Sequence, residues 1–266
     1  MKKLLRYTAW NWSMGGVPAM MLLGLGAVSE CVLLIVAAGM TRNAWFSYDE
    51  LVAKSGLLWV AAIVYMLLPI STQLYQSVTG RRANSDVTTL TLPFPRWQIL
   101  LARTLSAVVW MVIAAAVQLV LLAVLWGPVI ALQDSVASGY FLFDVTAKGR
   151  LWWDLADCEL FRLLLPSGAA GTSIWLGLIL APALMCASVA CHSGRRQGIA
   201  AILALANQAT LAAMGFSIAA GSISISQIEM LGYNPTTLSA LVAVAAVMIL
   251  LTLWGLLALR RSEAAA

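Results

Sequence analysis

Apolar residues in this chain fall in long, nearly unbroken runs separated by shorter polar stretches. Six runs stand out, at about residues 17–40, 57–79, 98–130, 168–192, 197–222 and 236–259. A helix needs roughly 20 predominantly apolar residues to cross a bilayer, and each run meets that length. The first carries one charge, Glu30, and the third has Arg103 near its start; the other four are essentially free of charge. Lipid-exposed backbone must satisfy its own hydrogen bonds, which favours helices. A β-barrel would need short alternating strands, and the pattern contains none. The expectation is an all-α, polytopic membrane protein of six transmembrane helices.

Composition agrees with the pattern. Of 266 residues, 62% are hydrophobic and 10% charged, against about 45–50% and about 25% in a soluble domain. A water-soluble enzyme, a disordered protein and a nucleic-acid-binding domain are all poor fits. The four cysteines form no metal or redox spacing: Cys31, Cys186 and Cys191 lie in or at the edge of apolar runs, and Cys158 lies in a long polar loop.

The net charge of +5 reads as a topology signal. An even number of spans puts both termini on one side. With them fall Lys2, Lys3, Arg6, Arg81, Arg82, Arg96, Arg103, Arg195, Arg196, Arg260 and Arg261, against Arg42, Lys54, Lys148, Arg150 and Arg162 on the other. The acids divide the opposite way. Both termini are therefore expected in the cytoplasm. Lys2, Lys3 and Arg6 ahead of an apolar run resemble the start of a signal peptide, but the run is longer than an h-region and lacks a clean cleavage site. It is expected to stay as a span. Ahead of it, residues 1–16 alternate Leu4, Leu5, Tyr7, Trp10 and Trp12 with basic residues, as in an interfacial helix; a frayed basic tail is the plainer alternative.

Residues 80–97, between spans two and three, are too many for a minimal hairpin. Asn84 or Ser85 can cap a short helix with Asp86 in its first turn. Val87 and Leu90 then share a face, and Pro93 ends the helix by restricting Leu92. A short helix with an apolar knob and a basic base suits docking into a groove on a partner.

The run Gly80-Arg81-Arg82-x-x-x-Asp86, then Leu92-Pro93, then Arg96 and Arg103 at the head of a long span, resembles permease subunits of ABC-2 type exporters. The basic residue heading span three is Arg103 where those proteins frequently have Lys. The resemblance implies an interfacial N-terminal helix, six spans and a cytoplasmic coupling helix between spans two and three, in the bacterial cytoplasmic membrane. It also implies a separate ABC ATPase subunit that holds ATP and Mg, contacted through Arg81, Arg82, Asp86, Leu90, Leu92, Pro93 and Arg96. A second permease, identical or related, is implied to complete the path. No Gly-x-x-x-x-Gly-Lys-Ser/Thr run occurs in this chain to cradle ATP, and no residue is expected to perform bond chemistry or bind a metal or cofactor.

The outer loop, residues 131–167, is long enough for structure of its own. Leu151, Trp152, Leu155, Phe161 and Leu164 make an apolar face, with Asp154, Asp157, Glu159 and Arg162 mostly elsewhere. An amphipathic surface helix is expected, either as an interfacial anchor or as a lid. The last outer connection, Gly221 to Thr237, alternates Ser and Ile; the resemblance implies a short re-entrant helical pair there.

Ionisable and polar groups within spans tend to face a cavity or a partner. Glu30, Gln73, Gln118, Asn207 and Gln208 are candidates for a pathway or dimer interface, or else interhelical ties worth about 0.6 kcal/mol each. Pro69 and Pro182 read as kinks. His192, the one histidine, is expected at a solvated helix end. A secondary transporter or channel is the rival class, and would be expected to carry internal repeats or several embedded charges.

Overall fold

The computed structural model describes residues 2–40, 46–82, 96–137, 151–165, 169–192, 194–219 and 246–258, and these are almost entirely helical, with no strand among them. The described helices are α1 (Lys2–Met14), α2 (Gly16–Met40), α3 (Tyr48–Lys54), α4 (Leu57–Arg82), α5 (Arg96–Ala137), α6 (Leu151–Asp157), α7 (Glu159–Leu164), α8 (Ala169–Val189), α9 (Gly194–Ala219) and α10 (Ala246–Ala258).

Among the described residues, three helical stretches are long and apolar enough to cross a membrane: Gly16–Met40, Leu57–Thr79 and Trp97–Val136. Shorter apolar stretches lie at Trp175–Val189 and Ala246–Ala258. Helices thus stand at each of the six expected positions. Pro69, Pro128 and Pro182 sit inside α4, α5 and α8, as helices packed by neighbours in lipid tolerate.

α2 runs opposite to α4, with Leu23 in one cluster with Val64 and Leu68 and Leu34 in another with Leu57, and parallel to α5, where Glu30 meets Gln118. α2 lies against α4 and α5, α5 against α8, and α9 against α4 and α8. Close approach is built in at Gly26, where an added Cβ would come 2.6 Å from Val64 Cγ2, and at Gly255, where it would come 3.1 Å from the Ser188 Cα. One apolar cluster joins Ala19 and Leu23 of α2 to Val64, Leu68, Trp110 and Met111. Another joins Ile70 of α4 to Met185, Ala200, Ala204 and Leu251 of α8, α9 and α10.

Helix α5 runs on to Ala137, past the apolar stretch expected to end at 130. Its continuation is held by packing rather than by lipid. Gln133 is fully buried and its Nε2 donates to the Phe46 carbonyl at 3.0 Å. Beside it α3 fills the connection between α2 and α4. Asp49 and Glu50 lie in its first turn and Lys54 in its last, each sign matched to the helix dipole. Gly56, at φ 80°, then makes the left-handed turn into α4.

The outer amphipathic segment is two short helices, α6 and α7, broken at Cys158. Leu155, Leu160 and Leu164 face inward, as does Cys158, which is buried rather than solvated in a polar loop. Trp152, expected on one apolar face with Leu155, is 71% exposed; it stands about 60° round the helix from the buried Leu155.

Candidate functional site at the α1 end of the bundle

The end of the bundle that carries α1 gathers polar side chains from α1, α4, α5 and α9 and from the α8–α9 turn. α1 lies along α5 and touches α4. Its Asn11 is buried at 2% exposure. The Asn11 carbonyl accepts a 2.6 Å hydrogen bond from Gln76 Nε2 of α4. Gly15 permits this approach: a Cβ there would stand 2.9 Å from Gln76 Nε2 and 3.2 Å from Thr72 Cβ. Trp12 packs on Trp110 of α5 with ring centroids 5.6 Å apart.

One turn deeper, Gln73 Nε2 of α4 donates to the Arg103 carbonyl of α5 at 3.2 Å. The Arg103 guanidinium reaches across to α8, where Nη1 donates to the Ala190 carbonyl at 2.7 Å and approaches Cys191 Sγ at 4.0 Å. The last carbonyls of a helix lack partners within it and carry its negative dipole end, so a cation there makes a charge-assisted bond. Gln197 of α9 donates to Ser77 Oγ of α4 at 2.8 Å. Four helices are thereby tied together near the end of α4 and the start of α5.

His192 belongs to the same end and is not a solvated helix end. It is 4% exposed, its Nδ1 lies 2.9 Å from the Ser188 carbonyl, and its ring meets Trp254 of α10 edge-on at 4.4 Å. Burial lowers its pKa, the hydrogen bond with Ser188 opposes that shift, and the charge of Arg196 adds to it. Adjacent Arg195 and Arg196 are exposed, which is where the expectation of a solvated turn holds.

Of the expected partner-contact residues, Arg81 and Arg82 close α4 and Arg96 opens α5. Asp86, Leu90, Leu92 and Pro93 lie outside the described residues, as does the Gly221–Thr237 connection. The five in-span polar candidates are all buried with partners inside this chain. Gln118 Nε2 donates to Glu30 Oε2 at 2.9 Å, joining α5 to α2. Asn207 Nδ2 lies 2.9 Å from Met185 Sδ and Gln208 Nε2 lies 2.8 Å from Cys186 Sγ, both joining α9 to α8. With Gln73 on Arg103, each acts as an interhelical tie. Sequence reading paired none of these and passed over Asn11, Gln76, Gln133, Tyr48 and Gln197. The available signal was the glutamines themselves, since Gln76 and Gln133 interrupt or border otherwise apolar helices.

No family model matches the chain, and neither the curated proteins nor the solved structures yield a match. Among the described residues, no three His, Cys, Asp or Glu side chains converge as a metal site requires. The chemistry available at this end is the fastening of helices to one another.

Proposed function

We propose that this chain is the permease subunit of an ATP-binding-cassette exporter of the ABC-2 type. In this reading all six apolar helices cross the bacterial cytoplasmic membrane and both termini lie in the cytoplasm. A separate ABC ATPase subunit binds and hydrolyses ATP, and a second permease, the same or related, pairs with this one. The cargo is amphipathic: a peptide, a drug or a lipid-like molecule. Closure of the ATPase subunits pushes on the segment between α4 and α5, and the paired permeases alternate between inward and outward access.

The observation that carries the reading is the basic segment from Gly80 to Arg103. Arg81, Arg82, Arg96 and Arg103 crowd the connection between two long apolar helices. Its far root, Arg103, is bonded to the end of α8. A push delivered there reaches α4, α5, α8 and α9 through side chains already in contact. The rival reading, a secondary transporter or channel independent of ATP, draws its support from Glu30, an acidic side chain buried in α2 against Gln118.

A mild-detergent pull-down of the tagged chain from its own host, followed by an ATPase assay, separates the two. The exporter reading expects a stoichiometric ATPase subunit that falls away when Leu90 and Leu92 are changed to Asp. A chain that elutes alone and inert after gentle crosslinking contradicts it.

A further inference from the structure

We infer that α6 is a membrane anchor: Trp152 and Trp153 sit in the lipid headgroup layer of the leaflet opposite α1. This inference rests on the bundle crossing a bilayer, and is independent of the exporter reading.

The first observation is the division of the α6 surface. At about 100° per residue, Leu155 and Leu151 point one way, Trp152, Ala156 and Trp153 cover the next sector, and Asp157 and Asp154 the third. Leu155 is fully buried, whereas Trp152 and Trp153 are 71% and 74% exposed. The helix therefore has a protein side, an aromatic side and an acidic side. Helices that lie in an interface carry an apolar face beside a charged one.

The second observation fixes its height. Trp126 Nε1 of α5 donates to Asp154 Oδ2 at 2.8 Å, which pins α6 beside that level of α5. At about 1.5 Å per residue, α5 separates Trp97 from Trp126 by roughly 44 Å. A bilayer with both headgroup regions is about 40–45 Å thick. Trp97 is exposed in the first turn of α5, Trp10 and Trp12 are exposed on α1, and Trp59 is exposed close to the start of α4 at the opposite end. Tryptophans thus collect at both ends of the bundle, the distribution expected of residues whose rings favour the membrane–water boundary.

The third observation is continuity. Between these levels α5 exposes Val109, Val112, Val120 and Val124, and α2 exposes Met20, Met21, Leu25, Val28 and Val32. These are the sides offered to lipid tails. The α5 stripe ends at Val124, two residues before Trp126, which holds α6 through Asp154. Indole rings there bury their apolar bodies in lipid while each N–H reaches headgroup oxygen or water.

The test places a nitroxide side chain at position 152, 153 or, for comparison, 50, with the four native cysteines replaced by Ala. Each protein is reconstituted in phosphatidylcholine vesicles, and equal thermal stability across the three checks that the fold is kept. At 152 and 153 collision with membrane-soluble oxygen should exceed collision with a water-soluble nickel chelate; at the exposed, polar Glu50 position the order should reverse. Nickel access at 152 and 153 equal to that at 50 would put α6 in water and overturn the anchor. Spin–spin broadening that disappears on dilution with unlabelled protein would name a second copy as the occupant, and would overturn it equally.

Discussion

The two ends of the bundle are fastened by different means. At the α1 end the ties run from side chains to main-chain carbonyls: Gln76 to Asn11, Gln73 to Arg103 and Arg103 to Ala190. At the opposite end α3, α6 and α7 close the bundle with an apolar cluster. Leu51, Val52, Leu155, Leu160 and Leu164 pack there on Leu34, Leu122, Leu125 and Val129. A few polar bonds pin that cluster, among them Tyr48 Oη to the Leu122 carbonyl at 2.7 Å. Burial, with a smaller contribution from Cys158, raises the Tyr48 pKa, so the phenol stays a donor. Apolar packing resists any change of shape, because a lost methylene leaves a void. Hydrogen bonds to carbonyls hold helices in register yet exchange partners at small cost when the helices slide. An end that must move with a partner is better served by the second arrangement, and an end that seals the bundle by the first.

Substitutions can break this contrast. The largest loss is expected from Leu155→Ala, about 3 kcal/mol from the buried volume removed, seen as a lowered melting temperature in detergent. Arg103→Leu should cost about 2 kcal/mol, since it removes a charge-assisted bond and leaves the Ala190 carbonyl unpaired. On the exporter reading it should also uncouple ATP hydrolysis from transport, which Leu155→Ala should not. Tyr48→Phe keeps the ring and loses one hydrogen bond, for about 1 kcal/mol. If Tyr48→Phe costs more than Leu155→Ala, the far end is polar in its energetics and the contrast fails. The smallest effect concerns His192. Its pKa is lower folded than unfolded, so the unfolded chain takes up the proton more readily and stability falls as the pH drops below about 6.5. Thermal unfolding measured between about pH 7 and about pH 5 should show that slope, and His192→Gln should flatten it.

The sequence made the helical class and the positions of the long helices legible, because runs such as 17–40 exceed what any half-buried element needs. The start of the chain, read as an interfacial helix over residues 1–16, is helical over Lys2–Met14. Packing decided the rest. Nothing in the apolar run of α5 announces that the helix continues to Ala137, since its last turns are stabilised by Phe46, distant in sequence. His192 beside two arginines reads as solvated, and only Trp254 on α10 makes it buried. Glu30 and Gln118 were each conspicuous alone, but helical phase on two separate spans hides their pairing. Arg103 stood out as the head of span three, while its acceptor, a main-chain carbonyl, leaves no trace in side-chain identity.

Sidedness tests the central claim most directly, namely that the polar α1 end faces the cytoplasm and the apolar end closed by α3, α6 and α7 faces outward. Single cysteines at Glu50 on α3 and Arg196 on α9, both outside the core, would be challenged with a membrane-impermeant thiol reagent in intact cells and in inside-out vesicles. Replacing the four native cysteines with Ala removes background labelling. The account predicts that position 50 reacts in intact cells and position 196 only in inside-out vesicles. Labelling of both positions from the same side, or the reverse assignment, would contradict it.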